Sequence, residues 1–314
     1  MQYVVDESVM DFNGVSAEFC CELIESVLDV IDDIMLAGDA CCYSEELFCR
    51  HVYGEMTIWE LFADDSPVQL LPEIQARLAV AFNRLQTWEM MDGELVEVVD
   101  PRIDGILHVG ARSVAWVHSK MLQDRRSPIA CIVGSGRDPA GCKKVVVGQD
   151  SIDMWFIGDA RDDELMFRWI VEELTDCPAG LETFSARAFR NLDFVSGSFN
   201  GIKGMSKSYV CLIPTLVKHL AALSDEGRIV FVGPWEEAEA KFGAFGVNLS
   251  DENGATKNNR VARRERLKEW DGSERIFWWH TKLERHQDRI HFCPRGIAKG
   301  EKILIGIFCL HLTT

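Results

Sequence analysis

The apolar positions of the first ninety residues recur at helical spacing. Phe19, Cys20, Leu23, Ile24, Val27, Val30, Ile31 and Met35 mark one face of a helix over Ala17–Leu36. Ser16 precedes it as an N-cap and Gly38 follows as a stop. A second helix is expected to start at Ser44 and run to about residue 52, with 58–62 continuing it. Pro72 fits the first turn of a third, over 73–91, striped by Ile74, Leu78, Val80, Ala81, Leu85 and Trp88. Residues 1–93 therefore read as a helical module.

The pattern changes at Asp92-Gly93. Short runs rich in β-branched residues follow at 95–99, 105–109, 113–117, 128–134 and 143–148, separated by Asp, Gly and Pro clusters. A further strand is expected at 153–157 and a helix at 164–174. Residues 94–175 read as an antiparallel β-rich domain.

The remainder, 176–314, reads as an α+β unit. Helices are expected at 183–189, 209–223 and 236–242, with a short buried strand at 228–232. The Gly- and Ser-rich stretch 195–208 reads as a flexible loop. A basic helix over 259–270 leads into three strands, 276–283, 288–293 and 302–312, which form a three-stranded antiparallel sheet. The fold class of the whole is α+β.

Charge divides the chain along its length. Residues 1–100 carry 22 Asp and Glu against three Arg and no Lys, whereas residues 257–314 carry 13 bases and seven acids. The acidic front module is a candidate surface for a protein partner, and the basic end for a polyanion. Eleven scattered cysteines, odd in number, argue against a disulfide scaffold. No apolar run reaches the length of a membrane span, and the acidic start lacks the basic region of a signal peptide. The reading is a cytoplasmic protein with no membrane partner.

Candidate chemistry gathers in the last forty residues, where four of the eight histidines fall. Side chains alternate along a strand, so His280 and Lys282 share one face of the first strand, and Arg289 and His291 one face of the second. If those faces coincide, two imidazoles and two cations meet on one surface. That set suits general acid–base work on a phosphodiester, and His280, Lys282, Arg289 and His291 are the candidate catalytic residues. The alternative is a sheet rim whose basic residues face water. Arg260, Arg263, Arg264, Arg266 and Lys268, with Arg285, are the candidate nucleic-acid-binding residues. Internal pairing of Glu265 with Lys268 and of Glu269 with Arg266 would neutralise part of that helix. The spacing of His286, His291, Cys293, Cys309 and His311 gives only a weak metal signal, and no cofactor is expected.

A basic helix, a tryptophan and three strands reading WWHTKL, DRIHF and KILIGIFCLHL resemble the C-terminal half of the RelE/ParE toxin superfamily. The resemblance covers residues 259–314. It implies a metal-independent endoribonuclease of toxin–antitoxin or phage-defence type, with His280, Lys282, Arg285, Arg289 and His291 on or beside the matching strands. The acidic front would then mask the basic end. The alternative function is a non-catalytic module binding nucleic acid or protein.

Overall fold

β1 (Gln2–Val5) is the strand around which the first half of the chain is wound. The computed structural model describes residues 1–92, 99–136, 138–294 and 300–314. It divides the chain into two units, 1–166 and 167–314.

In the first unit α1 (Ala17–Leu36) returns the chain to β2 (Ala40–Tyr43), parallel beside β1. A hairpin of β3 (His51–Tyr53) and β4 (Met56–Thr57) precedes α2 (Pro72–Arg84). β5 (Gln86–Thr87) then extends the sheet beside β2, and α3 (Trp88–Asp92) follows. After the β6 (Arg102–Ile103) and β7 (Ile106–Leu107) hairpin, α4 (Arg112–Gln123) leads to β8 (Ile129–Ile132) on the other side of β1. β9 (Gly141–Val147) and β10 (Asp150–Ile157) form a hairpin, with β10 parallel to β8, and α5 (Ala160–Leu174) follows. The strand order is β5-β2-β1-β8-β10-β9-β6-β7. The first five strands are parallel and the last three antiparallel. The winding therefore reverses between β1 and β8, the place where open α/β sheets bind their ligands.

This arrangement differs from the expected succession of a helical module and an antiparallel sheet. α1 occurs where its periodicity places it. β1 was hidden because buried parallel strands show no alternation, and Tyr3, Val4 and Val5 are all buried. The helix expected at 44–52 is a single turn, Glu45–Phe48, followed by β3. Residues 113–117 lie in α4, not in a strand. Val114, Val117 and Met121 bury one side of it, and Glu7 Oε1 accepts from Ser113 N at its start (2.8 Å). The strand expected at 95–99 falls mostly outside the described residues.

The second unit contains α6 (Pro178–Ala188), β11 (Leu192–Phe194), a 3-10 helix over Ser198–Gly204 and the long helix α7 (Tyr209–Val232). The expected strand at 228–232 is the last part of α7, which buries Val230 and Phe231. A Cβ at Gly227 would sit 2.3 Å from Ile303 Cδ1, so this helix approaches the sheet closely. The stretch 195–208 is packed rather than loose: Ser198, Phe199 and Ile202 are buried. α8 (Ala238–Ala244), β12 (Asn248–Ser250), α9 (Gly254–Asn258) and α10 (Arg260–Glu265) follow. The expected basic helix ends at Glu265. Its second half is β13 (Leu267–Trp270), paired with β14 (Ser273–Ile276) across Asp271 and Gly272, both at positive φ.

β15 (Trp279–Lys282), β16 (Arg289–Cys293) and β17 (Ile303–Cys309) are antiparallel neighbours, as their patterning predicts. β12 and β11 extend this sheet on either side, in the order β11-β17-β16-β15-β12. The chain is thus a mixed α+β protein. Among the described residues no helix is long and apolar enough to cross a membrane.

Candidate functional site

The ladder between β15 and β16 sets His280 opposite His291 and Lys282 opposite Arg289. The two faces do coincide. The imidazole centroids are 5.0 Å apart. The group is not a solvated rim: His280 is 3% exposed, His291 0% and Arg289 9%. Lys282 is half-buried and donates to Ser250 Oγ (2.9 Å). As they stand, the imidazoles are out of reach of a polymer.

Burial also sets their protonation. Desolvation pushes His280 down to about 3, and the cations of Arg289, Lys282 and Arg266 act in the same direction. His291 is held well below the usual imidazole range by burial, then by His280 and Arg266. Both rings are neutral at neutral pH. His291 Nδ1 lies 3.2 Å from the Phe277 carbonyl oxygen, which can only accept, so the proton sits on Nδ1. Its Nε2 then offers a lone pair and has no partner, and neither nitrogen of His280 has one. A buried polar atom left unpartnered costs about 1–3 kcal/mol.

Glu252 completes the cluster. It lies just past β12, is 7% exposed, and brings Oε1 to 3.6 Å from His280 Nδ1. Glu252, His280 and His291 each present one ligand atom within 4.8 Å of the other two. Among the described residues no other trio of metal-ligating side chains converges in this way. Of the residues whose spacing gave a metal signal, only His291 takes part.

Arg266 holds this carboxylate from the other side. Its Nε and Nη2 donate to Glu252 Oε1 at 3.2 and 2.7 Å, and its Nη1 donates to the carbonyls of Ala262 and Thr313. The guanidinium has no solvent exposure. Of the six cations expected to meet nucleic acid, Arg266 is therefore an internal brace.

The other five are exposed: Arg260, Arg263, Arg264, Lys268 and Arg285. Arg260, Arg263 and Arg264 stand at i, i+3 and i+4 of α10 and share a side. Lys268 continues the strip onto β13, directly across from Arg275. The internal pairing that would neutralise this strip is not formed. Glu265 accepts from Thr313 N and Oγ1 instead (2.8 and 2.9 Å), and Arg266 faces Glu252. Beside the hairpin lies a cavity of about 360 Å³ lined by Trp270, Arg275 and Lys302 with Asp193, Asp271 and Glu301.

The first unit holds a group that the sequence reading missed. Asp6 and Glu7 follow β1 at the reversal of winding, and both are fully buried. Asp6 N donates to Ile132 O at the end of β8 (3.1 Å). One oxygen of each carboxylate is engaged, Asp6 Oδ1 by Ser8 N and Glu7 Oε1 by Ser113 N. Asp6 Oδ2 and Glu7 Oε2 have no partner. Burial raises both, and the Asp6 charge adds to the rise of Glu7, to about 7. The available signal was a buried-strand run, Tyr3-Val4-Val5, ending in two acids.

No family model, no curated protein and no solved structure matches this chain.

Proposed function

We propose that the chain is an RNA-directed effector whose second unit binds the sugar–phosphate backbone along α10 and the β13–β14 hairpin. One observation carries this reading: Arg260, Arg263, Arg264 and Lys268 are exposed, and among the described residues none has an ion-pair or hydrogen-bond partner for its side chain. Four cations on one short helix and the strand that follows repel each other in the free protein. Like charges set directly across a ladder, as Lys268 and Arg275 are, cost stability, and a polyanion relieves that cost. Trp270, in the adjoining cavity, offers a ring on which a base can stack. The resemblance of residues 259–314 to RelE/ParE toxins supports RNA as the polymer and a toxin or phage-defence setting. The proposal is one of binding, because the burial of His280 and His291 supplies no support for cleavage at that sheet. Binding of a short single-stranded RNA by the wild type and by Arg263→Ala/Arg264→Ala, compared over a salt series, is the test.

A further inference from the structure

We infer that Glu252, His280 and His291 form a binding site for a divalent transition-metal ion of the zinc class. The inference is independent of the RNA-binding reading, which rests on exposed residues.

Three observations meet here. The first is convergence, since the three donor atoms lie within 4.8 Å of one another although they come from β15, β16 and the segment after β12. The second is orientation. The Phe277 carbonyl holds the Nδ1 proton of His291 and leaves Nε2 as a lone pair, the arrangement in which a backbone acceptor fixes the tautomer of a metal-binding histidine. The third is want of any other partner. His291 Nε2 and both ring nitrogens of His280 are buried without a hydrogen bond, although both rings are almost wholly enclosed. A single water could satisfy some of these atoms. Two imidazoles and a carboxylate are a donor set that zinc prefers, and they leave a fourth tetrahedral position.

The surroundings say which way the site is tuned. Arg266 grips Glu252 Oε1 through two N–H groups, the hydrogen-bonded second layer that ligating carboxylates carry. Arg289 and Lys282 stand opposite each other on the same ladder, two positions from the facing histidines, and their charges oppose a dication. Affinity must therefore come from the chelating geometry, and removal of one of these charges should raise it. Binding needs no proton release from His291, whose Nε2 is already bare.

The experiment uses the full chain, stripped with a chelator and then titrated with Zn²⁺, and with Co²⁺ as a spectroscopic probe. The expected result is one ion per chain, a visible tetrahedral Co²⁺ band and no sulfur-to-cobalt charge-transfer band. His291→Gln and His280→Gln should lose the ion, exposed His286→Gln should keep it, and Arg289→Gln should bind more tightly. Should the buried variants fail to fold, the cobalt spectrum of the wild type still decides. Sulfur ligation would assign the ion to some of the eleven cysteines and overturn the inference. So would a folded chain that takes up no metal, or a His291→Gln variant that retains it.

Discussion

Arg266 donates to a single oxygen of Glu252 through both Nε and Nη2, at 3.2 and 2.7 Å, where both side chains are buried. This pair ties the end of α10 to the segment after β12, the strand that pairs with β15 beside His280. It also explains why a run of basic residues contains one that cannot serve as a contact.

Breaking a buried pair costs far more than never having made it, because the surviving charge stays in a low-dielectric place. Arg266→Ala should therefore destabilise the second unit by about 3–5 kcal/mol. Arg266→Lys should recover only part of this, since an ammonium cannot reproduce the two-pronged contact. Glu252→Leu/Arg266→Met should be much less destabilised than Arg266→Ala. Urea unfolding of the three variants checks the ranking. A loss below about 1 kcal/mol in Arg266→Ala would mean that Glu252 is not held as described.

Glu7 gives a pH dependence of the opposite kind to an ordinary surface acid. Burial, reinforced by Asp6, raises it from 4.5 to about 7 in the folded chain. The folded state thus holds the proton more tightly than the unfolded state. Stability is fully present below the unfolded value and falls as pH rises from 4.5 through about 7, by up to about 3 kcal/mol at roughly 1.4 kcal/mol per unit. Glu7→Gln keeps an oxygen to accept from Ser113 N and removes the charge. It should stabilise the chain near pH 8 and change little near pH 4.5. Parallel stability–pH curves for the two proteins would contradict the burial of an ionising Glu7.

Gly306 on β17 carries the ring of Phe277. A Cβ there would lie 2.3–2.5 Å from three ring atoms. Phe277 is wholly buried, and its carbonyl orients His291. Gly306→Ala should cost about 1–3 kcal/mol or more through forced repacking. Gly204→Ala has nothing within 4 Å and should change stability by less than about 0.5 kcal/mol. Thermal unfolding of the two variants compares them directly, and equal effects would argue against the close approach.

Much of the C-terminal sheet was legible because β15 and β16 alternate, β17 is a continuous apolar run and the turns are marked by charge. Period-two reasoning paired His280 with Lys282 and Arg289 with His291, and the register of β15 and β16 is what makes the two faces coincide. Their burial was not legible, because it depends on what covers the sheet. Glu252 lies 28 residues before His280 with no motif between them, so its approach is a product of tertiary folding. The same holds for Glu7, whose partner Ser113 is 106 residues away. Residues 113–117 look like a strand by composition and form a helix because packing outweighs weak propensity. β1 misled in the converse way, being too short and too uniformly buried to show a period.

The most direct test of the central claim is the salt dependence of RNA binding. Affinity of the full chain for a short single-stranded RNA would be measured over a range of salt, beside Arg260→Ala/Arg263→Ala/Arg264→Ala/Lys268→Ala. Each lost phosphate contact lowers the slope of log K against log salt by about 0.7. The account predicts tight, salt-sensitive binding by the wild type and a slope reduced by about 2–3 in the variant. Equal slopes and affinities in the two proteins, or no binding by the wild type at low salt, would contradict it.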